Sequence, residues 1–325
     1  MNHRERLEAC ISGETLDRPP VALWRHFPVD DQEPAHLADA TINYQKTYDF
    51  DLVKVTPASS FCVKDWGVHD EWHGSSEGTR DYQVRSIRQA EDWLKLPVLD
   101  PKKGYLAAQL ECLKTIQREL GSEVPVLQTV FNPLSQAKYL VGSELLLVHL
   151  RQAPEAVHAG LRTIAASTQR FIDSVMEIGV SGIFFAVQHA QFGLLSKEEY
   201  LEFGKPYDLQ VLKSSEKLWL NMLHLHGEHV MFDLVADYPV DVINWHDQDT
   251  FPSLAEAKRL YSGVVCGGLK RERTMVLGTP EAVDAEAKAA IKATSGERFI
   301  LGTGCVVPIT APRANLLAAR KSVES

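Results

Sequence analysis

Eight short apolar runs, separated by longer stretches with helical spacing, limit most tightly what this chain can become. The runs are PPVALW (19–24), DLVKV (51–55), VPVLQTV (124–130), GIFFAV (182–187), LWLNML (218–223), VDVINW (240–245), GVVCGG (263–268) and RFILGT (298–303). Such alternation marks a parallel sheet, because parallel neighbours need a long crossover between them. Eight units favour an α/β fold of the (β/α)8 TIM-barrel kind over an open sheet. The intervening segments agree. Residues 143–179 carry apolar side chains at helical spacing, and TPEAVDAEAKAAIKAT opens on a Thr cap followed by Pro. Residues 56–99, with Trp66, Trp72, Trp93 and several Gly and Pro, read as a long insertion after strand two with its own hairpin or short helices. In a barrel such loops cover the mouth formed by the carboxyl ends of the strands. No repeat, low-complexity tract or linker interrupts the pattern, so residues 1–325 are expected to form one domain.

Charge narrows the partners. Lys and Arg number 34 against 43 Asp and Glu, a net charge of −9, with no basic run to track phosphates. Nucleic acid and membrane surfaces are therefore not expected partners, and a small-molecule substrate is. No uncharged apolar stretch is long enough to span a bilayer, and the opening MNHRERLEACISGE is a charged helical pattern rather than a signal peptide. A cytoplasmic protein is expected. Cys10, Cys62, Cys112, Cys266 and Cys305 lack the close spacing of a disulfide framework, and most read as small buried hydrophobes.

In a barrel, residues just after each strand face one pocket, and here many are polar. They include Arg25, His26, Lys54, Thr56, Asn132, Gln188, His189, His224, His226, His246, Asp247 and Cys305. His and Cys delivered from several strands are ligands that suit zinc. The sharpest local signal is LHLHGEH, where His224 and His226 stand two apart at a strand exit and point to the same side. The last strand ends in GTGCVVP, and Gly302 and Gly304 are expected to permit a tight turn that presents Cys305. His224, His226 and Cys305 together would leave a fourth position open, as a catalytic zinc requires. The same pair of histidines also fits one core and one loop imidazole. His246 and His229 read as supporting or surface histidines, with His246 the one assigned to cofactor binding. Arg25 could grip a substrate carboxylate or sulfonate or make a structural ion pair. Gln188 and Asn132 are candidate orienting donors, for substrate and cofactor respectively, or ordinary polar lining.

The ends of the chain resemble one known group. RERLEACISGETLDRPPV is similar to the amino-terminal hallmark of the uroporphyrinogen decarboxylase-like superfamily, and GTPEAVDAEAKAAI with ILGTGCVVPITAPRANLLAA is similar to its closing elements. The resemblance implies a (β/α)8 barrel. Against true uroporphyrinogen decarboxylases, Arg25 matches the first of two arginines and Tyr139 the tyrosine after strand three. Val29 stands in place of the second arginine, Thr56 near the aspartate, and Thr303 in place of the histidine. The other branch, zinc-dependent methyltransferases resembling coenzyme M methylases and, more distantly, cobalamin-independent methionine synthase, uses His-x-Cys and a distal Cys. HLHG occupies the place of their HxCG and TGCVVP that of their PGC motif, so His224 and Cys305 match and His226 replaces a cysteine.

The resemblance implies Zn2+ at His224, His226 and Cys305, with Arg25, Tyr139 and Gln188 as catalytic candidates. A corrinoid would serve as methyl donor or acceptor, carried by a corrinoid protein as partner, and a homodimer is left open. The reaction expected is methyl transfer between a corrinoid, or other donor, and a thiol. The alternative is a metal-free decarboxylase acting on a porphyrinogen or related acid, centred on Arg25 and Tyr139.

Overall fold

Strands whose two faces are both apolar must be covered on both sides, the situation inside an α/β fold. Seven of the eight runs behave this way. The computed structural model describes residues 1–324 and contains β1 (Val53–Val55), β2 (His69–Glu71), β3 (Asp81–Val84), β4 (Val126–Phe131), β5 (Gly182–Val187), β6 (Met222–Leu225), β7 (Val242–Trp245), β8 (Val264–Leu269) and β9 (Phe299–Thr303). All but β2 and β3 form one parallel sheet in the order β1-β4-β5-β6-β7-β8-β9, and those seven strands are buried at every position. Helices connect most neighbours, the longest being Pro154–Ile178 between β4 and β5. The fold is TIM-barrel-like.

The expected first strand differs. Residues 19–24 make a single parallel bridge, Val21 to Leu301. Pro19 and Pro20 carry no N–H, so a full ladder cannot form there. The segment still touches both edges of the sheet: Leu301 N donates to Pro20 O (2.8 Å), Ala22 N to Leu301 O (2.9 Å), and Asp51 N to Val21 O (2.8 Å). The fully buried Asp51 carboxylate accepts from Arg6 Nη1 (2.7 Å), Arg18 Nη1 (2.7 Å) and Val21 N (2.8 Å). Arg6 also pairs with Asp17 at 2.8 Å. The amino-terminal motif is thus a charge clamp that ties the first helix, His3–Ser12, and the proline segment to the start of β1. A buried carboxylate persists only with such partners.

Residues 56–103 form the antiparallel pair β2–β3 and short 3-10 turns at Ser59–Cys62, Lys64–Trp66 and Ala90–Lys95. Asp70 pairs with Lys64 (3.2 Å) and Arg80 (3.1 Å), and Arg80 with Asp31 (3.3 Å). Glu77 pairs with Arg271 beyond β8, and Ile309 N donates to Ser76 O (2.8 Å). These contacts lay the hairpin across the carboxyl ends of the strands.

Candidate metal centre

Side chains alternate along a strand, so residues two apart share a face. The cavity at the carboxyl ends follows that period: Trp24 and His26, Lys54 and Thr56, Thr129 and Phe131, Phe184, Ala186 and Gln188, His224 and His226 all line it, with Cys305. Its volume is about 230 Å3, and Glu77, Thr79, Arg80 and Tyr82 of the hairpin segment complete its wall. A wider groove of about 660 Å3 lies beyond, lined by His226, His246, Asp249, Lys270, Arg271 and others. His226 faces both spaces.

Between them stand His224, His226, His246 and Cys305, whose ligand atoms all lie within 4.8 Å of one another. Cys305 Sγ is 3.7 Å from His226 Nδ1, close to the roughly 3.5 Å that separates a nitrogen and a sulfur ligand on one tetrahedral zinc. His246 Nε2 is buried without a hydrogen-bond partner. An orphaned imidazole nitrogen facing a thiol and two other imidazoles is what a zinc site with its ion removed would leave. The donor set fits zinc. Burial alone would raise the Cys305 thiol, but His224, His226 and His246 outweigh it and hold it well below the ordinary thiol range. Burial lowers His224. The neighbouring His26 and His189 are each pushed down to about 3, chiefly by burial, so both are neutral.

The His-x-His pair straddles the strand exit: β6 ends at Leu225, so His224 lies inside the strand and His226 is the first residue beyond it. The glycines before Cys305 act differently from the expectation. Neither Gly302 nor Gly304 has positive φ. A Cβ on Gly304 would lie 2.7 Å from both His246 Cα and Trp245 O, and one on Gly302 would lie 3.0 Å from Ala22 O and Cys266 Sγ. The requirement is close approach, which seats Cys305 against the end of β7. His246, expected in a supporting role, stands inside the cluster. Its phase with Asn244 on β7 is the signal that would have placed it there.

Other expectations are relocated. Arg25 is out of phase with Trp24 and His26; its guanidinium lies over the Phe27 and Tyr44 rings (5.2 and 5.6 Å) and donates to Ile309 O (3.3 Å). It does not line the cavity. Asn132 caps the helix Pro133–Val141, accepting from Ser135 N (3.0 Å) and donating to buried Asp208 Oδ1 (2.8 Å), so its amide is consumed in the scaffold. Tyr139 and Gln188 do line the cavity. Tyr139 stacks on Tyr82 (5.2 Å, 12°), and Gln188 Oε1 accepts from Lys138 Nζ (3.4 Å). The cationic groups of the cavity are Lys54, Lys138 and Arg80. Arg80 is paired, but among the described residues no carboxylate pairs with Lys54 or Lys138. Lys54 Nζ sits 4.5 Å over the Phe184 ring, and burial lowers its pKa to about 7.

A parallel α/β protein with an imidazole and thiol cluster at its strand ends belongs among the barrel enzymes whose sites lie on that face. The chain is a member of the uroporphyrinogen decarboxylase family, whose pattern it matches over residues 2–325. Methylcobamide:CoM methyltransferase MtbA of Methanosarcina mazei is 24% identical, covering 96% of this chain and 95% of its own length. Uroporphyrinogen decarboxylase of Synechococcus sp. is also 24% identical, covering 96% and 90%. Among solved structures, a methyltransferase from Methanosarcina mazei superposes with a TM-score of 0.85 at 18% identity, covering 99% of this chain and 98% of that one. A B12-independent methionine synthase from Shewanella sp. follows at 0.61 and 13%, covering 93% and 94%. At these identities the structural likeness speaks for the fold.

Proposed function

We propose that this chain is a zinc-dependent methyltransferase that moves a methyl group between a corrinoid and a thiol acceptor, as a single-domain cytoplasmic enzyme with a corrinoid protein as partner. The observation that carries the reading is the meeting of His224, His226, His246 and Cys305 donor atoms within 4.8 Å between two cavities. The Methanosarcina mazei relative is named for transfer between methylcobamide and CoM. The five free, buried cysteines suit a reducing compartment.

Zinc held by these residues would supply Lewis acidity, keeping an acceptor thiol in its thiolate form at neutral pH. The chain's own groups do the rest. The inner cavity takes the acceptor, where Trp24, Phe131 and Phe184 exclude water. Lys54 and Lys138, without carboxylate partners, hold an anionic substituent in the role first expected of Arg25. Gln188, oriented by Lys138, and Tyr139 fix the acceptor's angle. The outer groove admits the methyl-bearing corrinoid, and residues 56–99 act as an insertion that covers the mouth. With Arg25 turned away from the cavity, half of the centre of a metal-free decarboxylase is missing.

The test is the metal content of the purified protein together with methyl transfer from methylcobalamin to a small anionic thiol. One zinc per chain and transfer abolished by a chelator support the proposal. Protein free of zinc, or transfer indifferent to chelation, refutes it.

A further inference from the structure

His224 can serve a metal through only one ring nitrogen, and the other is already engaged. His224 Nδ1 lies 2.7 Å from Asn244 Oδ1, directly across the β6–β7 register that aligns the two residues. The proton in that contact is settled by what Asn244 does on its other side. Its Nδ2 donates to Cys266 O and Thr303 O, both at 3.0 Å. Carbonyl oxygens accept only, so a flipped amide would set its oxygen against two carbonyl oxygens and forfeit both of these hydrogen bonds. Oδ1 must therefore face His224, and His224 Nδ1 must carry the proton. Nε2 is left with its lone pair for the cluster.

Asn244 reaches further than one ligand. The Thr303 carbonyl that it binds belongs to the residue whose hydroxyl donates to Cys305 O (2.6 Å). One fully buried side chain on β7 thus links a ligand on β6 to the turn after β9 that carries another. We infer that Asn244 is a positioning residue that fixes the His224 tautomer and holds His224 and Cys305 in register for a shared metal. The inference rests on the metal reading only for the second part, since the tautomer exists in the metal-free protein. A histidine ligand whose second nitrogen is oriented by a fixed acceptor binds metal more tightly, and loss of such a partner costs about 10–100-fold in affinity.

The test uses the whole chain, labelled with 15N-histidine and stripped of metal. Long-range proton–nitrogen correlations show which ring nitrogen of His224 is protonated, with the signal assigned by its disappearance in His224→Gln. The parent is expected to show protonated Nδ1. Asn244→Leu, which removes the acceptor, is expected to lose that single tautomer and to bind zinc about 10–100-fold more weakly in competition with a chelator. Asn244→Asp keeps an acceptor and is expected to retain protonated Nδ1. A parent with protonated Nε2, an Asp variant that moves the proton to Nε2, or a Leu variant with parental tautomer and zinc affinity each overturns the inference. Should the Leu variant fail to fold, the parent and Asp spectra decide. A parent that binds no zinc refutes the metal centre, while the metal-free spectra still judge Asn244 on tautomer.

Discussion

Gly304→Ala tests the claim that close approach, rather than backbone freedom, builds the centre. The new Cβ would lie 2.7 Å from His246 Cα and from Trp245 O, both backbone atoms of the strand end that carries a ligand. Ordinary contact begins at 3.4 Å, so the turn bearing Cys305 must retreat by about 0.7 Å. Metal ligands tolerate departures of only about 0.2 Å from their preferred distances. The substitution is therefore expected to weaken zinc binding at least about tenfold, while overpacking costs about 1–3 kcal/mol of stability. Chelator competition gives the affinity and urea unfolding of the metal-free protein gives the stability. Gly302→Ala is the control: its Cβ meets Ala22 O and Cys266 Sγ at 3.0 Å, away from the ligands, so it should lose stability with a smaller change in affinity. Parental zinc affinity in Gly304→Ala, with normal folding, would show that Cys305 does not depend on this contact.

Four further outcomes are expected. Cys305→Ala should abolish zinc binding and methyl transfer while the melting temperature stays within about 4 °C of the parent, since the side chain lies beyond the last strand; a collapse in melting temperature would mean that the thiol is structural. Arg25→Ala should leave the acceptor KM unchanged and Lys54→Met should raise it about tenfold or more for an anionic thiol, because only Lys54 faces the cavity; steady-state kinetics with the opposite ranking would reverse the assignment. Asp51→Asn should cost about 3 kcal/mol at pH 7 by leaving Arg18 without a carboxylate partner and Arg6 with Asp17 alone. Despite burial, His3 and Arg18 hold Asp51 down to about 2 from 3.8, so its contribution is present above pH 4 and is lost as pH falls from about 4 towards 2; urea midpoints of parent and variant should converge over that window, and a constant gap would contradict the clamp.

Much of the fold was legible because strand and helix periods are local properties. GIFFAV became β5 over the same residues, 182–187, and the other parallel strands fell within a few residues of their runs. The first run failed for a local reason too, the two prolines that remove ladder donors, yet it kept its place between the sheet edges through Val21 and Asp51. In the centre, His224, His226 and Cys305 were readable from spacing and from resemblance to known proteins.

The sequence alone, then, determined the alternation of elements and marked His224, His226 and Cys305, in short motifs, as candidates that the fold brings together. Tertiary structure decided phase and partnership. Whether Arg25 or its neighbours Trp24 and His26 enter the cavity depends on the twist and pairing of an irregular segment, and a residue count there does not say which face is inside. Asn132 was claimed by Asp208, 76 residues away. His246 reached the cluster, and Asn244 locked His224, only because β6, β7 and β9 come within hydrogen-bond range across the sheet. Such contacts join residues distant in sequence: local phase tells which face His246 shares with Asn244, but not which side chains that face meets.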